Sequence, residues 1–483
     1  MTFRLLVLAL YCQLVVLYPA QAQIGMGGTP HPSAVLDLKS PGNNKAFYPP
    51  RLTSAQRETM PNPQAGALVY DTDLSTIFFF DGDVWTPMAT TSLGQMLISR
   101  TASDGLAQDF FGSKVAISFD YALVSAPGSN SGQGAVYVFM RSGDSWIQHA
   151  KLTASDGAAN DFFGGSLFLD FDSAVVGAHG DDVGSNVNQG SAYVFELVGT
   201  TWTQKAKLTA SDGATNDYFG SDASINEDYV LIGVSNDWIG NNLEQGSAYV
   251  FRRSSGGSWV QQTKLMASDG AYGDRFGFSV SISGNTALIA ATSADIGPSL
   301  DQGSVYVFVR SGVSWTQQAK LTANDGSGSD DFGCNVALSS EEDYALVGAR
   351  YADIDGESSQ GAAYVFVRSG NTWTQQAKLT ASEGNAGDFF GHDVSLDMPT
   401  ALIGAPGSFI RERNHGAAYA FVLSGGTWKQ VRKIVHYSSS HYVDRSDNQD
   451  GTSVSKDIYS GRFIVGGFGF RNRKGRVFFG ESN

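Results

Sequence analysis

The residues best able to do chemistry in this sequence are carboxylates, and they recur at fixed spacing. Asp-Gly-x-x-x-Asp pairs Asp104 with Asp109, Asp156 with Asp161, Asp212 with Asp217, Asp269 with Asp274 and Asp325 with Asp330. Glu383 and Asp388 complete the set. Asp-Gly is a favoured turn and Asp caps turn amides, so turn-making is the first expectation for these loops. A second acidic loop, Asp353-Ile354-Asp355-Gly356-Glu357, sets side-chain oxygens at alternating positions. A repeated set of carboxylates singles out no general acid–base pair. No His-Glu-x-x-His, phosphate loop or Gly-x-Ser-x-Gly elbow is present. The seven His share no repeat position and show no ligand-like spacing. No catalytic residue is therefore assigned.

The elements that must position these loops follow from an internal repeat. Lys-Leu-Thr-Ala-Ser-Asp-Gly begins at Lys151 and Lys207, with variants at Lys264, Lys320 and Lys378. A Phe-Gly pair follows each, ending at Gly164, Gly220, Gly277, Gly333 and Gly391; an earlier pair ends at Gly112. A degraded seventh copy spans Asp450 to Ser455. Each unit holds four short segments of strand character, such as Phe278–Ile282, Ala345–Ala349, Ala362–Phe366 and Trp373–Leu379. Four antiparallel strands in a unit of about 55 residues are the signature of a propeller blade. Trp146, Trp202, Trp259, Trp315, Trp373 and Trp428 recur at one position. A Trp row could stack sugars, but a residue repeated in every unit points first to packing between sheets.

The Phe-Gly pair, followed thirteen to fifteen residues later by Gly-Ala, resembles the FG-GAP repeat of integrin-alpha-like β-propellers; Gly404-Ala405-Pro406 and Ser125-Ala126-Pro127 are the nearest matches to its Gly-Ala-Pro element. The resemblance implies an all-β, seven-bladed propeller of four-stranded blades over residues 96–483. It also makes the Asp353–Glu357 loop similar to the calcium loops of integrin blades, with Asp353, Asp355 and Glu357 as the expected ligands. The loop departs from them: Gly356 stands fourth and Ser358 replaces the usual sixth-position Gly. The seventh unit has three strands, near 452–455, 463–466 and 476–479. Gln95 to Gly105 aligns with the Lys-Leu phrase of the other units, so residues 96–102 are expected to be the missing fourth strand and to close the ring.

Ahead of the repeats, residues 1–22 read as a cleaved signal peptide: Arg4, the apolar run Leu5–Leu17, then Ala20-Gln21-Ala22. Residues 23–89 form a small β-rich module, and 90–95 a linker. The module resembles the short N-terminal module of secreted and fibre-like proteins of Bacteroidetes-type bacteria, carried by Ser33–Leu38, Phe47–Thr53, Gly66–Thr72 and Phe78–Trp85. It is too small for a large core, so docking or self-association is expected. The chain has 483 residues and a formal charge of −15. Such acidity argues against nucleic acid or anionic membranes as partners. After leader removal Cys334 is the one remaining Cys, which excludes an internal disulfide. No later segment reaches the length of a membrane span.

These readings converge on a secreted or cell-surface binding or adhesion module, non-enzymatic, presenting propeller loops to an extracellular protein or glycan. The alternatives are a glycan-active hydrolase or lyase on the same scaffold, or a surface structural component. Evenness between units favours binding, because an active site should break the symmetry at one place. The rims are expected to be polarised. The acidic loops share one rim; the hairpins with Arg141, Arg252, Arg253, Arg310 and Arg368 share the other.

Overall fold

The computed structural model describes residues 98–435 apart from 144, 411, 412 and 415, together with 452–457, 461–467, 475–481 and parts of 24–87. The leader and the 90–95 linker lie outside the described residues. The chain divides into two compact units, residues 1–94 and 95–483.

In the first unit, Arg51–Leu52, Leu68–Asp71, Thr76–Phe80 and Trp85–Pro87 form one four-stranded sheet. Its first pair is parallel and the others antiparallel. A helical turn at Gln56–Arg57 opens with a reciprocal cap. Thr53 N–H donates to Gln56 Oε1, and Gln56 N–H to Thr53 Oγ1. Val69, Phe78 and Trp85 are its buried apolar core. Arg57 Nε lies 2.8 Å from Asp71 Oδ2 in a buried ion pair, with its guanidinium 3.9 Å from the Phe78 ring centroid.

The second unit contains seven four-stranded antiparallel sheets. We number them 1–7 by their first strands: Val115–Ser118, Ser166–Asp170, Asp222–Asn226, Phe276–Ser283, Phe332–Leu338, Val394–Asp397 and Ser453–Lys456. Sheet 5 shows the pattern. Phe332–Leu338, Tyr344–Ala349, Ala362–Ser369 and Thr372–Leu379 pair in chain order, each with its neighbour. The second and third strands are buried on both faces, and so are apolar without alternation, as in Tyr229–Val234. The fourth strands alternate, as half-covered strands do.

The apolar clusters straddle neighbouring sheets. Leu123 and Val138 of sheet 1 pack with Leu167, Val176 and Tyr193 of sheet 2. The Phe of each Phe-Gly pair is wedged into this layer. Phe163, fully buried, meets Tyr193 and Phe195 edge-on at 5.6 and 5.9 Å. The Gly after it has two reasons to be Gly. Gly391 has φ +91°, and a Cβ there would lie 2.2 Å from the Ala362 carbonyl of the preceding sheet. The Trp row also packs between sheets: Trp202 stands edge-on to Tyr121 at 5.8 Å, and Trp428 Nε1 donates to Gln376 Oε1.

Sheet 7 takes its fourth strand from the N-terminal side. Ile98–Arg100 pairs antiparallel with Arg476–Glu481, with Ser99 opposite Phe478. Sheet 7 in turn meets sheet 1. Ile464, Val477 and Phe479 share a cluster with Val115 and Phe139, and Phe479 stacks on Trp146 at 4.5 Å. Deleting residues 95–103 removes this strand and exposes the edge of Arg476–Glu481. The expected outcome is a melting temperature lower by several degrees, with new aggregation, read by calorimetry and light scattering.

Candidate functional site

The loops from second to third strands, and from fourth strands to the next sheet, emerge at one end of the sheets, here the loop rim. The hairpins emerge at the other, the hairpin rim. Every Asp-Gly-x-x-x-Asp motif lies on the loop rim, and its two acids do different work.

The first acid binds the Lys that begins the next Lys-Leu phrase. Lys151, Lys207, Lys264, Lys320 and Lys378 stand 2.6–2.9 Å from Asp104, Asp156, Asp212, Asp269 and Asp325. Lys433 reaches Glu383 at 3.4 Å. A Tyr of the intervening third strand donates to the same carboxylate: Tyr137 to Asp104 at 2.7 Å, Tyr193 to Asp156 at 2.9 Å. Hydrogen bonds from Lys151 and Tyr137 hold the Asp104 carboxyl below the ordinary range. At Asp156 burial pushes upward, but Lys207 and Tyr193 outweigh it. Asp181 and Asp237, buried, add a second carboxylate against Lys207 and Lys264.

The second acid is a buried turn cap. Asp109, Asp161, Asp217, Asp274 and Asp330 each accept the N–H three residues back, from Leu106, Ala158, Ala214, Ala271 and Ser327. Burial raises the Asp217 carboxyl to about 6, aided by the nearby Asp237 charge. It also raises Asp161, Asp274 and Asp330. The turn-making expectation for these motifs therefore holds.

The three expected calcium ligands also occupy scaffold positions. Asp353 Oδ1 accepts the Ser359 N–H at 2.8 Å, as Asp182 does from Asn188 and Asp295 from Asp301. Asp355, with φ 52°, takes a left-handed turn position held by Gly184, Gly240 and Gly297 in sister loops. Glu357 Oε2 accepts the Ala386 N–H at 3.2 Å. Among the described residues no group of three His, Cys, Asp or Glu is placed to hold a metal ion. Here Asp353 and Glu357 have backbone donors as partners, and the loop stands as a capped turn.

The hairpin rim carries acids beside its Arg. Its first hairpins carry Asp120, Asp172, Asp228, Glu342 and Asp343, and Arg141 is paired with Asp120 at 2.9 Å. Acids thus stand on both rims, and on the loop rim the first acid of each motif is tied to Lys. Burial pushes the Cys334 thiol up to about 12, which disfavours its thiolate, and the His392 imidazole down to about 3.

What sequence reasoning missed is the place where the loop rim breaks its repeat. At the position of Asp182, Asp295 and Asp353, the loop after the second strand of sheet 3 carries Trp238, 63% exposed. At the position of Ala107, Ala159, Thr215, Gly328 and Ala386, the loop entering sheet 4 carries Tyr272, 70% exposed. These two loops are bonded to each other: Gly273 N–H donates to the Leu243 carbonyl, and Arg275 N–H to that of Glu244. The signal was present in the aligned repeats as the one Trp and the one Tyr at those positions.

The raised and lowered carboxyls set the response to pH. Asp217 titrates near 6 folded against 3.8 unfolded, so on acidification the folded chain takes its proton first and gains stability. The Lys-paired acids are lowered, so their contribution is lost only below the unfolded value. The melting temperature should rise from pH ~7.5 to pH ~5 and fall again near pH ~3, and Asp217→Asn should flatten part of the rise.

Residues 23–104 match a phage tail like trimerisation region. No curated protein matches the chain. Residues 100–139, 146–195, 202–251, 259–308, 315–366 and 373–421 each match the FG-GAP repeat, together more than half of the sequence. The chain belongs to the FG-GAP repeat family.

Proposed function

We propose that this protein is an exported, non-enzymatic adhesion module: a closed seven-bladed propeller that binds a protein or glycan through its loop rim. Ring closure is supported by the strand Ile98–Arg100 in sheet 7 and by the apolar cluster joining sheets 7 and 1. Export rests on the leader-like residues 1–22. The observation that carries the binding reading is the exposed pair Trp238 and Tyr272. Elsewhere the rim's repeated side chains serve turns and ion pairs, whereas these two rings have no such duty. Exposed aromatics on a rigid frame are the usual anchors of a binding surface.

The likeness of residues 23–104 to a trimerisation region extends the reading. Three copies would present three rims together, and avidity could then exceed single-site affinity by ~10²-fold or more. Among the described residues of the first unit the apolar core is small, Val69, Phe78 and Trp85, which suits an element completed by other copies.

The mature chain should run as a trimer by light scattering. It should capture its partner from an extracellular glycan and protein panel. Trp238→Ala and Tyr272→Ala should each weaken capture by about 2 kcal/mol while leaving the melting temperature unchanged. Undiminished capture by the double variant would refute the loop-rim site, and a monomeric mass would refute the trimer.

A further inference from the structure

The first strands of all seven sheets line one cavity of about 200 Å³. At its upper level the cavity is lined by Lys114, Asp222, Asn335, Asp393 and Ser453; the equivalent positions of the other two first strands are Ser166 and Ser279. Asp393, 5% exposed, accepts the Val454 N–H at Oδ2, with the Ser453 hydroxyl also against it. Its Oδ1 faces Lys114, whose Nζ stops 4.0 Å away, beyond hydrogen-bond reach. Asp222 gives Oδ2 to the Val280 N–H.

Four residues further along their strands, Asp170 and Asp457 form a lower acidic level, about 13 Å away at strand rise. Lys456 is engaged by Asp397. Asp170, Asp222, Asp393 and Asp457 line the cavity together with Lys114 and Lys456, the latter paired with Asp397. Burial raises the carboxyls of Asp170, Asp222 and Asp393, and the charge of Lys114 pulls the latter two part of the way back. Midway between the levels Phe168 breaks the row of small residues, its side chain 37% exposed. A low-dielectric wall focuses this field on any cation that enters.

We propose that the cavity binds a linear polyamine. One terminal ammonium sits between Asp222 and Asp393, the other at Asp170 and Asp457, and the middle of the chain lies over the Phe168 ring. Charge selects a cation. The two levels select an elongated one, and a volume below that of drug-sized pockets selects a slim one. An aromatic face at mid-height suits a central ammonium or methylenes. Lys114 competes for the upper carboxylates, which gives the proposal an unusual sign: its removal should improve binding. The inference stands apart from the loop-rim reading, and Trp238→Ala should leave it untouched.

Calorimetry on the mature chain tests it with spermidine, a short diamine, a diamine of about eight to ten methylenes (the length that spans the two levels), calcium and a neutral hexose. Spermidine and the long diamine should bind, the short diamine about tenfold more weakly, and the hexose not at all. Asp222→Asn with Asp393→Asn should weaken spermidine about tenfold, and Lys114→Met should tighten it. Each variant's melting curve shows whether it is folded. Should the double variant fail to fold, Lys114→Met and the chain-length series decide. No heat from any amine, equal affinity for short and long diamines, or weaker binding by folded Lys114→Met would overturn the proposal. Calcium binding tighter than spermidine, abolished by the Asp222 and Asp393 changes, would reassign the cavity to a metal.

Discussion

The first strand of each sheet has an unpaired edge, and the second unit depends on how that edge is satisfied. On one side the strand pairs with its own sheet; on the other its N–H groups face the preceding sheet across the cavity wall. Orphaned buried amides are costly, and an open strand edge invites foreign pairing. Here side chains of the preceding sheet supply acceptors. Ile282 N–H donates to Ser224 Oγ, Val336 N–H to Ser279 Oγ, Leu338 N–H to Ser281 Oγ and Val394 N–H to Asn335 Oδ1. The same device joins the last sheet to the first, through Val115 N–H to Ser453 Oγ and Ile117 N–H to Ser455 Oγ. Short polar side chains at alternate positions are therefore a hydrogen-bonding requirement of the inner strands. Lys114, Ala116 and Phe168 offer no such acceptor, so they locate where this requirement has been relaxed.

The same economy explains the acidic composition. A carboxylate can accept several amides at a turn where a hydroxyl accepts fewer, and its charge can be matched by a Lys from the adjoining strand. In each Asp-Gly-x-x-x-Asp loop one acid is exposed enough to pair with Lys, while the other is buried and caps. Opposite environments push their carboxyls in opposite directions: Asp212 is lowered and Asp217 is raised. Net charge alone therefore gives a poor picture of the surface a partner meets, since much of the repeated acid is internally matched.

The repeat period, the strand count per unit, the Phe-Gly wedge and the donated strand near Ile98 were legible in the sequence because each follows from spacing and turn chemistry. The backbone hydrogen bonds of Asp353 and Glu357 were not. Alternating oxygens look alike whether they face a cation or the loop's own backbone, and only the three-dimensional path of the loop brings the Ser359 and Ala386 amides to them. The first-to-second hairpins share the hairpin rim by topology, so their acids temper the Arg of the third-to-fourth hairpins there. Trp238 and Tyr272 were legible only by aligning the units against one another and asking where one departs.

Departure from symmetry is what separates scaffold from function in a protein built this way. A residue needed by the architecture must recur, because every sheet faces the same neighbours; the buried Phe, the Tyr–Asp–Lys clusters and the capping Asp all do. A residue that appears once, exposed or carrying buried charge without full pairing, is not explained by the architecture, and its energetic disadvantage must be offset elsewhere. Several described positions meet that condition, Leu106 and Tyr351 among them, and two more stand out by their chemistry. At the junction of sheets 3 and 4 the departure is outward and aromatic. In the cavity it is inward and ionic, set by Lys114, Asp222 and Asp393 in a wall otherwise made of Ser and Asn at that level. A repeated scaffold multiplies similar loops at little cost in new sequence, and breaking the repeat at a few positions leaves the hydrogen-bonded wall and the apolar clusters intact.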